Sequence, residues 1–140
     1  MKFLIITLSL LIPAFIYCEE TKFNEINLYN TLENYKWKKR ILLLITHKED
    51  IALVNQVNKF FITQKCKNNE RNLKLLKIIK KNVHTQIPEY FQNKTGIWLI
   101  GYDGYIKAFS KDNSLLSDVY NLIDNMPIGK EKKKELISNC

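Results

Sequence analysis

Three cysteines and two histidines are the residues of this 140-residue chain whose types could do redox or metal chemistry. Cys18, Cys66 and Cys140 stand far apart. No pair has the Cys-x-x-Cys spacing that sets a dithiol at a helix amino terminus, where the dipole stabilises a thiolate. Cys66 and Cys140 can instead form a structural disulfide in an oxidising compartment, stay free, or bond to another chain. His47 lies beside Glu49 and Asp50, types that suit a metal site or a general base, while His84 is in a separate segment. Their spacing matches no metal motif, and the Ser, His and Asp residues form no nucleophile elbow or triad. No catalytic residue, metal ligand or cofactor is therefore assigned.

Aromatic residues offer a second kind of site. Trp98 sits in an apolar run and reads as core, whereas Tyr102 and Tyr105 flank a turn and read as exposed, a candidate partner surface with Trp37. Asn93-Lys94-Thr95 is a glycosylation sequon, which in a eukaryotic secretory pathway would mark Asn93 as surface.

These residues are carried by a chain whose first 18 positions read as a secretory signal: Lys2, an apolar or small stretch from Phe3 to Tyr17, then Cys18-Glu19-Glu20. Fifteen residues interrupted by Pro13 are short of the ~20 that span a bilayer, so an anchor through residues 3–17 is the weaker alternative. Tyr17 is too bulky for the small residue that lipid attachment at Cys18 wants. The expectation is an exported protein, periplasmic or extracellular, cleaved after Cys18. About 120 residues then remain, the size of one compact domain. The formal charge of +8 falls to +7 without Lys2 and favours acidic partners: anionic polysaccharide, a lipid surface or an acidic protein. The basic residues are spread over Lys36 to Arg40, Lys74 to Lys81 and Lys130 to Lys134, without the arginine and aromatic interleaving of a nucleic-acid module.

Hydrophobic patterning supplies the elements. Residues 19–36 read as an arm or short helix with Ile26, Tyr29 and Leu32 at helical spacing. Arg40 to Thr46 is a continuous apolar run, a strand buried on both faces. Thr46 to Asp50 is a polar turn with Asp50 or Thr46 as N-cap for a helix presenting Ile51, Leu53, Val54, Val57, Phe60 and Phe61. Cys66 to Glu70 reads as a turn, and Arg71 to Ile79 as a strand nearer a sheet edge. From Lys80 to Lys94 a loop with a short helix covers the sheet. Asp103-Gly104 predicts a two-residue type I′ turn between two antiparallel strands. Asn113-Ser114 predicts the cap of a last helix carrying Leu115, Leu116, Val119, Tyr120, Leu122, Ile123 and Met126, stopped at Pro127. The tail from 132 to 140 is basic.

Strand, helix, strand, covering segment, hairpin and helix is the element order of the thioredoxin-like fold. Four segments carry a more specific resemblance: Trp37 with Arg40, Glu70-Arg71-Asn72-Leu73, Leu99-Ile100-Gly101-Tyr102-Asp103-Gly104, and Ile123-Asp124-Asn125-Met126-Pro127. Together they resemble the domain-of-unknown-function family DUF4174, also called the DUDES domain, over residues 37–131. That resemblance implies an α/β, thioredoxin-like three-layer sandwich related to peroxiredoxins, with a central mixed sheet and a C-terminal hairpin, in exported proteins without an established activity. Tyr102 stands where the family tends to carry a lysine, and Ile128-Gly129-Lys130 where a Met-Arg pair is usual, leaving Lys130 as partial stand-in for that arginine. Arg40, Arg71, Tyr102, Tyr105 and Lys130 are the candidate partner surface. The expected function is a non-redox binding or structural module; the alternative is a single-thiol oxidoreductase or peroxiredoxin-like enzyme using Cys66.

Overall fold

In the computed structural model, residues 27–80, 87–127 and Cys140 are described. The signal and anchor segments, Val83, His84 and Lys130 lie outside them. The elements run α1 (Leu28–Tyr35), β1 (Arg40–His47), α2 (Ile51–Thr63), α3 (Lys65–Glu70), β2 (Leu73–Lys80), α4 (Glu89–Gln92), β3 (Gly96–Ile100), β4 (Ile106–Ser110) and α5 (Ser114–Asp124). The four strands form one mixed sheet in the order β2-β1-β3-β4. β1 runs parallel to β2, from Arg40 opposite Leu73 to His47 opposite Lys80. β3 is antiparallel to both β1 and β4.

The apolar run of β1 is buried from Arg40 to Thr46 because helices cover both faces of the sheet. Leu42, Leu44, Ile97 and Leu99 meet Leu53 and Val57 of α2 and Leu115, Val119 and Ile123 of α5. On the other face Ile41, Leu43, Ile45, Trp98 and Ile100 meet Leu28 of α1, Phe91 of α4 and Ile87 just before α4. Each Leu or Ile side chain buried this way contributes about 2 kcal/mol through apolar area removed from water. α2 begins where Asp50 accepts a hydrogen bond from the Leu53 N–H at 3.3 Å, as its N-cap position predicts.

Five expectations need correction. α1 turns Leu28, not Tyr29, into the core: Leu28 is buried with Leu32 and Tyr35 packed beside it, and Tyr29 faces water. Ile51 is likewise exposed, because it precedes the turn of α2 that reaches the sheet. Cys66 to Glu70 is helical, part of α3, anchored by its own buried Asn68, which accepts from the distant Tyr120 Oη. The hairpin turn is not the two-residue type I′ form. A bulge between Leu99 and Ile100 shifts the register, so Ile100 pairs with Ile106 and five residues form the loop. Gly104 N–H bonds Gly101 O at 3.1 Å and Gly104 takes φ +79, a turn closed by one left-handed glycine, with no positive φ at Asp103. Asn113 occupies the α5 cap position without a side-chain bond, and Asp112 accepts from the Ser114 N–H at 3.0 Å instead. At the far end of the hairpin Gly96 has φ +143, and a Cβ there would collide with the Ser110 carbonyl oxygen.

Candidate functional site

Two ends of the central strand could carry a site. At the carboxyl end of β1, Thr46 is buried, while His47, Lys48, Glu49 and Asp50 face water. Thr46 Oγ1 donates to Asp50 Oδ2 at 3.5 Å, and the other Asp50 oxygen caps α2. No cysteine is present in this turn. His47 joins no cluster of three ligating side chains among the described residues.

The amino end of β1 is built differently. After α1 the chain turns through Trp37, whose φ of +62 lies in the left-handed region and whose N–H donates to Tyr102 O at 2.7 Å. Arg40 N–H then donates to Asn72 O at 3.0 Å, joining the starts of β1 and β2. Asn72 is also left-handed, φ +49, which its short polar side chain tolerates. Its Nδ2 donates to Tyr102 Oη at 2.8 Å, and its Oδ1 accepts from Lys39 Nζ at 3.4 Å.

Arg40 is buried, 2 % exposed. Its Nη1 donates to Arg71 O at 2.8 Å, and its guanidinium lies 4.1 Å from the centre of the Tyr102 ring. Nε and Nη2 find no hydrogen-bond partner among the described residues. Burial pushes the Arg40 pKa down, opposed by the Tyr102 and Asp124 charges. Arg71 makes a bidentate pair with Asp124, Nε and Nη2 each 2.9 Å from a carboxylate oxygen, and its Nη1 donates to Lys67 O at 3.2 Å. Glu70 adds a 3.7 Å contact. The Arg71 guanidinium also sits 4.6 Å from the Tyr120 ring, and Tyr120 Oη donates to Asn68 Oδ1 at 2.7 Å. Burial raises the Tyr120 pKa to about 12 against the pull of the Arg71 charge.

A family model for the domain of unknown function DUF4174 matches residues 31–132. The chain belongs to that family. Neither a curated protein nor a solved structure matches it. All four segments that carried the resemblance to DUF4174 in the sequence meet at this amino end, one at each corner of the Arg40 and Arg71 cluster.

The candidate surface residues separate there. Tyr105 is 70 % exposed, but Tyr102, expected to be exposed, is buried as the stacking partner of Arg40. Arg40 is buried as well, and the half-buried Arg71 guanidinium is paired with Asp124, so neither is a free surface cation. Asn68, Asn72, Tyr120 and Asp124 complete the cluster; the sequence reading placed Tyr120 only on the apolar face of the last helix and gave none of the four a part in a site. Asn72 and Asp124 left a trace through the segments that carry the resemblance, and Tyr120 through its place in the last helix. Around the hairpin of this DUF4174 chain, burial alone would push the Asp103 carboxyl up; hydrogen bonds from Lys107 Nζ and Tyr105 N–H outweigh it and hold it below the usual range.

Cys66 of α3 and Cys140 are brought into disulfide contact with Cα atoms 5.9 Å apart, closing 74 residues of sequence. The Glu70 carboxylate lies within 4.8 Å of both sulfurs. These three ligand atoms could hold a thiophilic cation only with the sulfurs unlinked, since thiolates are the ligands. Asn93 is exposed just after α4, where a glycan would have room.

Proposed function

We propose that this DUF4174 domain is a non-redox binding module of an exported protein, built on a thioredoxin-like scaffold, whose basic surface meets an acidic partner. The scaffold reading rests on topology: a parallel β1/β2 pair joined by a crossover, then an antiparallel hairpin and a closing helix in the order β2-β1-β3-β4. Export rests on the pattern of residues 1–18. The single observation that carries the loss of chemistry is the turn from Thr46 to Asp50. In a dithiol enzyme of this scaffold the cysteines begin the helix after the first strand; here Asp50 occupies the cap and the turn contains no cysteine. Cys66 does not replace them, because its sulfur is bonded to Cys140 and it lies in α3, away from the start of α2.

Retention on a sulfated-polysaccharide column and on anionic vesicles tests the reading. The domain should be held at low ionic strength and released by roughly 0.5 M salt, where the Debye length drops to a few ångströms. Flow-through at low salt would remove the acidic partner. Peroxidase or disulfide-reductase turnover that disappears in Cys66→Ser would replace the binding module with an enzyme.

A further inference from the structure

We propose that Trp37 and Tyr105, with Lys36, Lys38, Lys39 and Lys107, form a platform for an acidic polysaccharide; this rests on the binding-module reading and supplies its place and ligand class. Trp37 is 65 % exposed and stands at φ +62. A bulky side chain in the left-handed region is strained, and an exposed indole leaves apolar area in water. Asn72 shows the contrast, since its left-handed backbone comes with a side chain that bonds Tyr102 locally. The Trp37 side chain has no such hydrogen bond among the described residues, although its N–H is locked to Tyr102 O. Strain of this kind, over-determined by its surroundings, is characteristic of ligand sites.

The neighbours of Trp37 join it to Tyr105. The aliphatic stem of Lys36 lies over Gly104, where a Cβ would be 3.5 Å from its Cδ, and Tyr105 follows at once, 70 % exposed. Lys107 Nζ lies 5.9 Å from the Tyr105 ring centre. Lys36 contacts Glu33 at 3.6 Å and Lys107 contacts Asp103 at 2.6 Å, while Lys38 and Lys39 are exposed without a carboxylate partner among the described residues. The result is two exposed rings on turns joined through Lys36 and Gly104, with Lys38 and Lys39 adding ammonium groups that no carboxylate pairs among the described residues.

Flat rings stack on the C–H faces of pyranoses, and ammonium groups match carboxylates or sulfates repeated along a sugar chain. Nucleic acid fits less well, because the guanidiniums that would fork onto phosphates and base edges are turned inward at Arg40 and Arg71. A membrane would call for apolar side chains to insert, and Lys, Asp and Gly surround these rings.

The test uses the full chain with a heparin oligosaccharide as probe. The chain has two tryptophans, and Trp98 is fully buried, so ligand-dependent emission and quenching report Trp37. Expected are a salt-sensitive emission change, about tenfold weaker binding by Trp37→Gly, as for loss of one stacking ring, and weaker binding by Tyr105→Ala. Trp37→Gly should at the same time raise Tm, because glycine takes the left-handed backbone without strain. Wild-type binding that both substitutions leave unchanged would overturn the platform and leave the binding-module reading standing. Binding to phosphatidylserine vesicles but not to heparin would overturn the polysaccharide alone. Tighter, Trp37-dependent binding to single-stranded DNA of matched charge would replace it with nucleic acid. Absence of binding to all three probes at low salt would overturn both readings.

Discussion

The two ends of β1 are made of the same strand and could hardly be more unequal. At His47 the chain leaves the sheet through four exposed residues, the last of them the N-cap Asp50 that starts α2. Seven positions earlier, at Arg40, the fold buries a guanidinium against Tyr102, ties a second one to Asp124, and holds Trp37 and Asn72 in left-handed conformations. Buried unpaired donors and left-handed backbone are costly, at about 1–3 kcal/mol each. The carboxyl end of β1 is economical, and the amino end carries the cost. The difference teaches that this domain's specialised geometry lies where it positions Trp37 and the hairpin, away from the turn that starts α2.

The contrast can be broken in order of expected effect. Reduction of the Cys66–Cys140 bond, or Cys140→Ser, should cost up to about 4 kcal/mol in urea denaturation if a loop of 74 residues is closed in the native protein. A denaturation midpoint indifferent to reductant would detach the disulfide from the arginine end. Asp124→Ala should cost about 3 kcal/mol, because it leaves Arg71 largely buried without its bidentate carboxylate. Asp50→Ala at the other end should cost only about 1 kcal/mol, the usual value of an N-cap. Equal losses from the two aspartates, measured side by side, would erase the asymmetry. The smallest effect is in alkali. Tyr120 has a folded pKa of about 12 against 10 unfolded, so its contribution to stability is complete below pH 10 and is lost as pH rises through 12. Tyr120→Phe should flatten that decline in an alkaline titration followed by circular dichroism.

Legibility followed the range of the interactions. β1 was readable because a strand covered on both faces must be apolar throughout, and Arg40 to Thr46 satisfies that without reference to any other segment. The Asp50 cap and the apolar face of α5 are equally local. α3 was missed because Lys65-Cys66-Lys67-Asn68-Asn69-Glu70 has no apolar period; its anchor is Asn68, bonded to Tyr120 52 positions away. The hairpin was seen and its turn misread, since the bulge at Leu99 and Ile100 depends on how β4 pairs and leaves no mark in Asp103-Gly104. Within the candidate site, Arg40, Arg71 and Tyr102 were named as surface because arginine and tyrosine beside a turn ordinarily face water. Their burial depends on each other.

By itself the sequence determined the mixed α/β character, the order of the main elements and the absence of a paired-cysteine motif, because periodicity, caps and residue identity are properties of short stretches. Membership of DUF4174 was also legible, through four separated segments. Only the tertiary structure decided that those segments share one end of the sheet, that Arg40 and Tyr102 face each other inside while Trp37 and Tyr105 face out, and that Cys66 lies against Cys140. The reason is physical: which side of a residue meets water is set by strand register and helix docking, and both are fixed by contacts between residues dozens of positions apart.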